Sequence, residues 1–254
     1  MKALVTGASS GIGREIARVL AGQGVELVLT ARRVDRLEAL AKELSVPVRI
    51  LPADLSSKEG CLTLYRSVQE EDVDILVNNA GFGLFGPFAE SDLDRELEMI
   101  RTNIEAVQIL SKLFLRDFRK KNRGYLLNVA SSAGFFPGPL MATYYATKNY
   151  VLRLSEALSE ELRREGSRVS VSVFCPGPVE TEFNDVADVR FSLPGISAEY
   201  AARFAVRGMF RRKRVLVPGV SMKLARFGSR FVSEGMVLRM AYRMQSRKRE
   251  ESRK

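Results

Sequence analysis

The chain reads as one α/β domain, a doubly wound parallel sheet of about seven strands with helices on both faces, followed by a basic C-terminal extension. Three observations predict this. Short apolar runs alternate with stretches of helical periodicity over the first three quarters of the sequence. The runs are rich in Val, Leu and Ile, as strands covered on both faces are. The crossovers between runs are long enough to hold a helix, which is what parallel neighbours require.

In chain order, Ala3–Thr6, Glu26–Thr30, Val48–Leu51, Asp74–Val77, Tyr125–Val129, Val169–Phe174 and Val215–Val217 are the expected strands. Ile12–Ala21 is the first helix. Leu37, Leu40 and Leu44 are spaced for a helical face, as are Leu97, Ile100, Ile104, Val107 and Phe114, and then Val151, Leu154, Leu158 and Leu162. The expected division is a body over 1–218 and an extension over 219–254.

Composition narrows the chemistry. Hydrophobic residues make up 46% and charged residues 28%, an ordinary globular balance. With no histidine, Ser-His-Asp and Cys-His nucleophile systems and His-ligated metals are excluded. Two cysteines, Cys61 and Cys175, are too few for a cysteine-cluster metal site or a disulfide framework, so no metal is expected. They read as packed small hydrophobes in a reducing compartment. No apolar run reaches a membrane-spanning length, and MKALVT leads straight into a glycine turn, so a signal peptide is not expected and the location is expected to be cytoplasmic. The net charge of +10 is uneven: Tyr200–Lys254 carries 16 Lys/Arg against 3 Asp/Glu, so the rest is slightly acidic. That argues against nucleic acid as a partner of the body.

Thr6-Gly7-Ala8-Ser9-Ser10-Gly11-Ile12-Gly13 follows the first strand and opens the first helix. Glycines there allow a tight turn, close backbone approach to a phosphate and close helix–strand packing, and a helix start favours a phosphate. Dinucleotide folds read the adenosine ribose at the end of the second strand. An acid there suits a 2′-hydroxyl and an arginine suits a 2′-phosphate. Here the stretch is Thr30-Ala31-Arg32-Arg33, with no acid before Asp35. NADP(H) is therefore the expected cofactor, held mostly by Arg32 with Arg33 and Ser9 assisting.

Tyr144 and Lys148 are four apart on an expected helix and share a face. A nearby ammonium favours the phenolate and lowers a tyrosine pKa, fitting the pair for proton exchange with a substrate oxygen. Ser131 lies 13 residues before Tyr144, just past the fifth strand. Tyr145 also stands near Lys148 in sequence and is read as packing, and Ser132 is set aside in favour of Ser131.

Taken together these motifs resemble the short-chain dehydrogenase/reductase family. They run in that family's order over about residues 1–185: Thr6–Gly13, Asp54, Asn78-Asn79-Ala80-Gly81, Asn103, Ser131, Tyr144-x-x-x-Lys148, and Pro176-Gly177 followed by Thr181. The resemblance implies a Rossmann-type fold and a hydride-transferring oxidoreductase. It implies that Tyr144 is the acid/base, that Ser131 positions the substrate oxygen, that Lys148 also holds the nicotinamide ribose, and that Asn103 supports Lys148 through a water. It further implies that Asn79 and Gly81 border the cofactor, Asp54 meets adenine and Thr181 meets the carboxamide, with Ile12, Leu55, Ala80 and Val179 completing the contacts. One departure is Ser10, where members using NADP often carry a basic residue. The family's habit of pairing helices favours a homo-oligomer, a dimer before a tetramer.

Segments 81–90, 133–141 and 182–197 are the expected walls of a substrate pocket. They hold seven of the 14 phenylalanines, among them Phe82, Phe85, Phe136 and Phe183, which suits a small hydrophobic carbonyl or alcohol. Pro194-Gly195 suggests a hinged lid. In the extension, Leu224, Phe227, Phe231, Leu238 and Tyr242 interleave with Lys223, Arg226, Arg230, Arg239 and Arg243, a pattern that fits a pocket cover, a subunit contact or an anionic membrane surface. Three functions stand at this point: an apolar carbonyl reductase, a dinucleotide-binding regulator on the same fold, and a membrane-peripheral lipid ketone reductase.

Overall fold

The computed structural model describes residues 1–183 and 195–252. Among these, seven strands form one parallel sheet in the order β3-β2-β1-β4-β5-β6-β9. They are β1 Lys2–Thr6, β2 Glu26–Thr30, β3 Val48–Ile50, β4 Ile75–Asn78, β5 Tyr125–Val129, β6 Ser170–Phe174 and β9 Val215–Leu216. All seven expected strands are present, each within a residue or so of its expected bounds. A separate pair, β7 Val179–Glu180 and β8 Ile196–Ser197, was not foreseen, because two residues carry no periodicity.

The chain leaves β1 in one direction to β2 and β3 and returns to start the other half at β4. The turn after β1 and the turn after β4 therefore open side by side at the carboxyl edge, the place where such sheets bind ligands. Two apolar layers hold the helices to the sheet. Ile16, Leu20, Leu37, Val206 and Met209 pack on one face with Val5 and Leu29. Leu110, Phe114, Phe118 and Leu162 pack on the other with Leu4 and Leu76.

The helices are α1 Gly11–Ala21, α2 Val34–Glu43, α3 Lys58–Ser67, α4 Leu93–Ile100, α5 Ala106–Lys121, α6 Ala142–Arg164, α7 Ala198–Phe210, α8 Val220–Gly228 and α9 Glu234–Ser252. The apolar face from Leu97 to Phe114 reads as one helix, but a π turn, Arg101–Glu105, interrupts it and leaves Asn103 fully buried. Insertions of this kind sit often at functional sites. Cys61 and Cys175 are buried free thiols, each pushed up to about 12 by desolvation, so both stay protonated.

The sheet also buries a polar ladder. Asn78 Nδ2 donates to Asn128 Oδ1 (2.9 Å) and to Ser111 Oγ (3.0 Å), and Asn128 Nδ2 donates to Ser155 Oγ (2.9 Å). It ties β4, β5, α5 and the middle of α6 together.

Candidate active site

A cavity of about 940 Å³ opens at the carboxyl edge of the sheet. Part of its wall is the turn after β1. Gly7 and Gly11 adopt φ of +64° and +53°, which side chains other than glycine rarely tolerate. Asn79 clamps this turn: its Nδ2 donates to the carbonyls of Thr6 (3.0 Å) and Gly7 (3.2 Å), while Thr6 Oγ1 accepts from the amides of Asn79 (2.9 Å) and Ala80 (3.0 Å). Of the cofactor-binding residues expected from sequence, all but Gly13 line the cavity. Gly13 lies behind the turn, where a Cβ would stand 2.3 Å from Asn79 Nδ2 and 2.4 Å from the Gly7 carbonyl oxygen. Its task is close packing, not contact.

Ser57, Asp92 and Ser197 cap the starts of α3, α4 and α7 with their side chains. Ser10, before α1, makes no such bond. The first amides of α1, beside Ser10, Gly11 and Ile12 on the cavity wall, are thus left for an anion. A dinucleotide pyrophosphate fits that cradle.

The two arginines divide differently from expectation. Arg32 is 64% exposed at its side chain and pairs with Glu98 (2.9 Å). Arg33 instead reaches the glycine turn, donating to Ser10 Oγ (2.9 Å) and Ser9 Oγ (3.3 Å). Glu182 lies between Arg33 and Arg36, and hydrogen bonds from both hold its carboxyl below the usual range. An anion is thus already held beside the turn, by Arg33 rather than Arg32. Asp54 sits close by, with its carboxylate accepting from the Ser56 amide (3.0 Å) and hydroxyl (2.9 Å) and its pKa lowered by these bonds.

Ser131, Tyr144 and Lys148 come together on the cavity wall. Ser131 starts a short turn, its Oγ accepting from the Ala133 amide (3.1 Å). Lys148 Nζ donates to the Val129 carbonyl (3.1 Å) and lies 5.8 Å from the Tyr144 ring centre. The expected lowering of the tyrosine pKa is therefore absent. Burial pushes the Tyr144 phenol up, against a smaller downward effect of the Ser131 hydroxyl, and burial pushes Lys148 down to about 8. Asn103 does not line the cavity. Its amide donates to the Phe82 carbonyl (2.9 Å) and to Thr147 Oγ1 (3.0 Å), and its Oδ1 accepts from the Phe82 amide (3.1 Å). A Cβ on Gly81 would stand 2.7 Å from Asn103 Oδ1 and 3.4 Å from Lys148 Nζ, so the glycine is what lets these two groups approach.

On the substrate side, Phe82, Phe136 and Phe183 line the cavity. Phe183 packs on Tyr144 with ring centres 5.4 Å apart. Phe85 does not line it; it packs half-buried against Phe82, Met99 and Met141. Phe135 does not line it either; the Arg226 guanidinium lies 4.7 Å from its ring centre. Phe191 and Pro194 lie outside the described residues. One contribution escaped the sequence reading. Tyr145 is more than packing, because its ring lines the cavity and its hydroxyl accepts from Gln245 Nε2 (2.7 Å). A pocket cover was one of the three roles the sequence left to the extension, and α8 and α9 do roof the cavity, through Met222, Ala225, Val237, Met240, Met244 and Gln245. Interleaved apolar residues in a basic tail were the available signal, but which of them faced inward was not readable.

The fold and this constellation define a dinucleotide-dependent oxidoreductase class, and the comparisons agree. The short chain dehydrogenase family model matches residues 1–189, and the chain belongs to that family. It is 37% identical over 189 residues to Nodulation protein G of Rhizobium sp. (strain N33), covering 72% of this chain and 75% of that one. A short-chain dehydrogenase from Sphingobium yanoikuyae in complex with NADPH superposes with a TM-score of 0.82 at 33% identity, over 90% of this chain and 93% of that one. A short chain dehydrogenase/reductase from Burkholderia phymatum in complex with NAD gives 0.82 at 25% identity, over 89% and 91%.

Proposed function

We propose that this oxidoreductase is an NADP(H)-dependent reductase of bulky apolar ketones or aldehydes, working in the cytoplasm as a homodimer. The observation that carries it is the single cavity joining an arginine-flanked glycine turn to Tyr144 and an apolar roof. The residues fit a nicotinamide dinucleotide through the uncapped start of α1 and the Gly7 turn. Solved relatives hold NADPH in one case and NAD in another, so the choice rests on Arg33, Ser9 and Ser10, whose donors suit a 2′-phosphate.

Hydride transfer is the chemistry that the nicotinamide supplies when bound. The chain's own residues handle the proton. Ser131 positions the substrate oxygen beside the Tyr144 hydroxyl. Burial keeps that hydroxyl protonated near neutrality, so it is ready to donate as the oxygen gains charge. Lys148, beside it, holds the ribose and replenishes the proton. Asn103 fixes the Phe82 loop and Thr147, one residue before Lys148.

The test is NADPH consumption over a panel of aryl and cycloalkyl ketones, with NADH in parallel. Tyr144→Phe is expected to lower kcat by about a thousandfold with NADPH binding retained, and Tyr145→Phe to keep catalysis. Arg33→Ala is expected to weaken NADPH about tenfold or more and leave NADH unchanged. Equal loss for both cofactors would remove the NADP assignment. NADPH binding without turnover of any carbonyl would favour the regulatory reading.

A second reading is favoured by the outer face of the roof. Val220, Leu224, Phe227 and Phe231 are 60–76% exposed, and Lys223, Arg239 and Arg243 are exposed among the apolar residues of the same two helices. Apolar and cationic side chains on one surface suit an anionic membrane, which would make the substrate a lipid ketone. Co-sedimentation with vesicles containing phosphatidylglycerol, released by salt, is the expected result. No binding removes this reading. No helix among the described residues is long and apolar enough to cross a membrane.

A further inference from the structure

Among the described residues, two buried side-chain polar atoms have no hydrogen-bond partner, Thr30 Oγ1 and Gln245 Oε1. Thr30 does not line the cavity; Gln245 does. It comes from α9, a hundred residues after the tyrosine it touches, and is 1% exposed. Its surroundings are apolar: Met141 Sδ lies 3.9 Å from Nε2, and Ala241 and Met244 are neighbours on its own helix. A buried acceptor left unpaired is costly, and native proteins rarely keep one without use.

We infer that Gln245 and Tyr145 form a polar subsite in the roof of the cavity, which takes a hydroxyl carried by an otherwise apolar substrate at a position away from its reacting carbonyl. This deepens the reductase reading and rests on it for the identity of the cavity's ligand. The donor and acceptor count specifies the group. Gln245 Nε2 donates to the Tyr145 oxygen, so the carboxamide oxygen is a free acceptor and the Tyr145 proton a free donor. Exchanging the amide oxygen and nitrogen leaves the same inventory: Tyr145 then donates to the amide, whose NH₂ is free, and the phenol oxygen still accepts. Either way the pair offers at least one donor and one acceptor. A hydroxyl is the smallest group that answers both. Of the cations that line the cavity, Arg32 and Arg33 stand beside the glycine turn and Lys148 donates to the Val129 carbonyl, so none pairs with a carboxylate at Gln245. Burial raises the Tyr145 pKa, which keeps its proton in place as a donor.

Tyr145 follows Tyr144 directly, and their rings meet edge to face with centres 6.1 Å apart. The subsite and the proton donor therefore stand on one helix turn, so the hydroxyl also orients the substrate against Tyr144.

The experiment is calorimetric titration of the full-length protein, loaded with NADP⁺, with two probe pairs: acetophenone against 3′-hydroxyacetophenone, and 4-phenylcyclohexanone against 4-(4-hydroxyphenyl)cyclohexanone. The wild-type chain is expected to bind the hydroxylated member of at least one pair about tenfold more tightly. Gln245→Leu and Tyr145→Phe are each expected to reduce that preference to about threefold or less, with the affinity for NADP⁺ and for the parent ketones unchanged. Equal affinity within both pairs in the wild type, or a preference that survives Gln245→Leu, overturns the subsite. Calorimetry reads binding without turnover. A chain that prefers the hydroxylated probe but reduces neither keeps the subsite and loses the reductase reading, whereas turnover of both members at equal affinity does the reverse.

Discussion

The two ends of the cavity are built by opposite means. The dinucleotide end is made of backbone: turns after β1 and β4, fixed by the sheet beneath and by the bonds of Thr6 and Asn79. The roof is made of side chains on two amphipathic helices laid over the body from the end of the chain. Their glycines state the difference. At Gly13 a Cβ would meet a side-chain nitrogen and a backbone oxygen within 2.4 Å, whereas at Gly235 the nearest atom would be 3.8 Å away, on the end of the Arg239 side chain. At Gly13 the cofactor end has no room for an added atom, and at Gly235 the roof has.

The sharpest way to break this contrast is a matched pair of substitutions. Gly13→Ala must move Gly7 or Asn79, so a destabilisation of about 2–3 kcal/mol is expected, with weakened NADPH binding. Gly235→Ala meets nothing and adds helix propensity, so a gain of about 0.5 kcal/mol and unchanged NADPH binding are expected. Urea melts and cofactor titration of both variants check this. Similar losses in the two would show that the roof is packed as tightly as the cofactor end.

Acidity sharpens the contrast at the junction. Lys148 is buried with a pKa lowered from 10.5 to about 8, so between those values the unfolded chain binds more protons than the folded one. Stability must then rise with pH across that window, by at most about 3 kcal/mol, as the cost of burying the ammonium is relieved. Below pH 8 the full cost remains. The Tyr144 phenol, shifted upward, acts in the opposite sense, but only above its ordinary value of 10. Melting temperatures from pH 7.5 to 9.5 are expected to climb in the wild type relative to Lys148→Met. Parallel curves would mean that the ammonium is better solvated than its burial implies.

The cofactor end was legible in the sequence because backbone demands leave fixed residue types at fixed spacing: Gly7, Gly11 and Gly13, then Asn79, then Tyr144 and Lys148. The strands were legible because burial on both faces writes a continuous apolar run. Helix α3 was not, since only Cys61 and Leu64 of its ten residues are buried. The π turn at Arg101–Glu105 was hidden by an apolar face that continues through it, and that Arg33, not Arg32, reaches Ser9 and Ser10 showed only once the chain direction at the end of β2 was known. Gln245 had no motif to mark it. A single neutral polar residue in a basic helix becomes informative only when the structure shows which way it points.

What holds the roof down gives the gentlest test of the comparison. Arg226 of α8 reaches the body twice, pairing with Glu156 of α6 at 3.1 Å and lying 4.7 Å from the centre of the Phe135 ring. Both side chains of the ion pair are partly buried, at 26% and 20%, so the pair is screened less than an exposed one, and the ring contact adds to it. Arg226→Ala is expected to cost about 1 kcal/mol, and the cost should be local. Amide exchange in α8 and α9 should quicken while that of β1 and α1 stays as it was, and KM for ketones should rise about two- to threefold with NADPH affinity unchanged. Faster exchange spread equally into α1 would show that roof and body open as one unit, and the division between a rigid cofactor end and an adjustable substrate end would then fail.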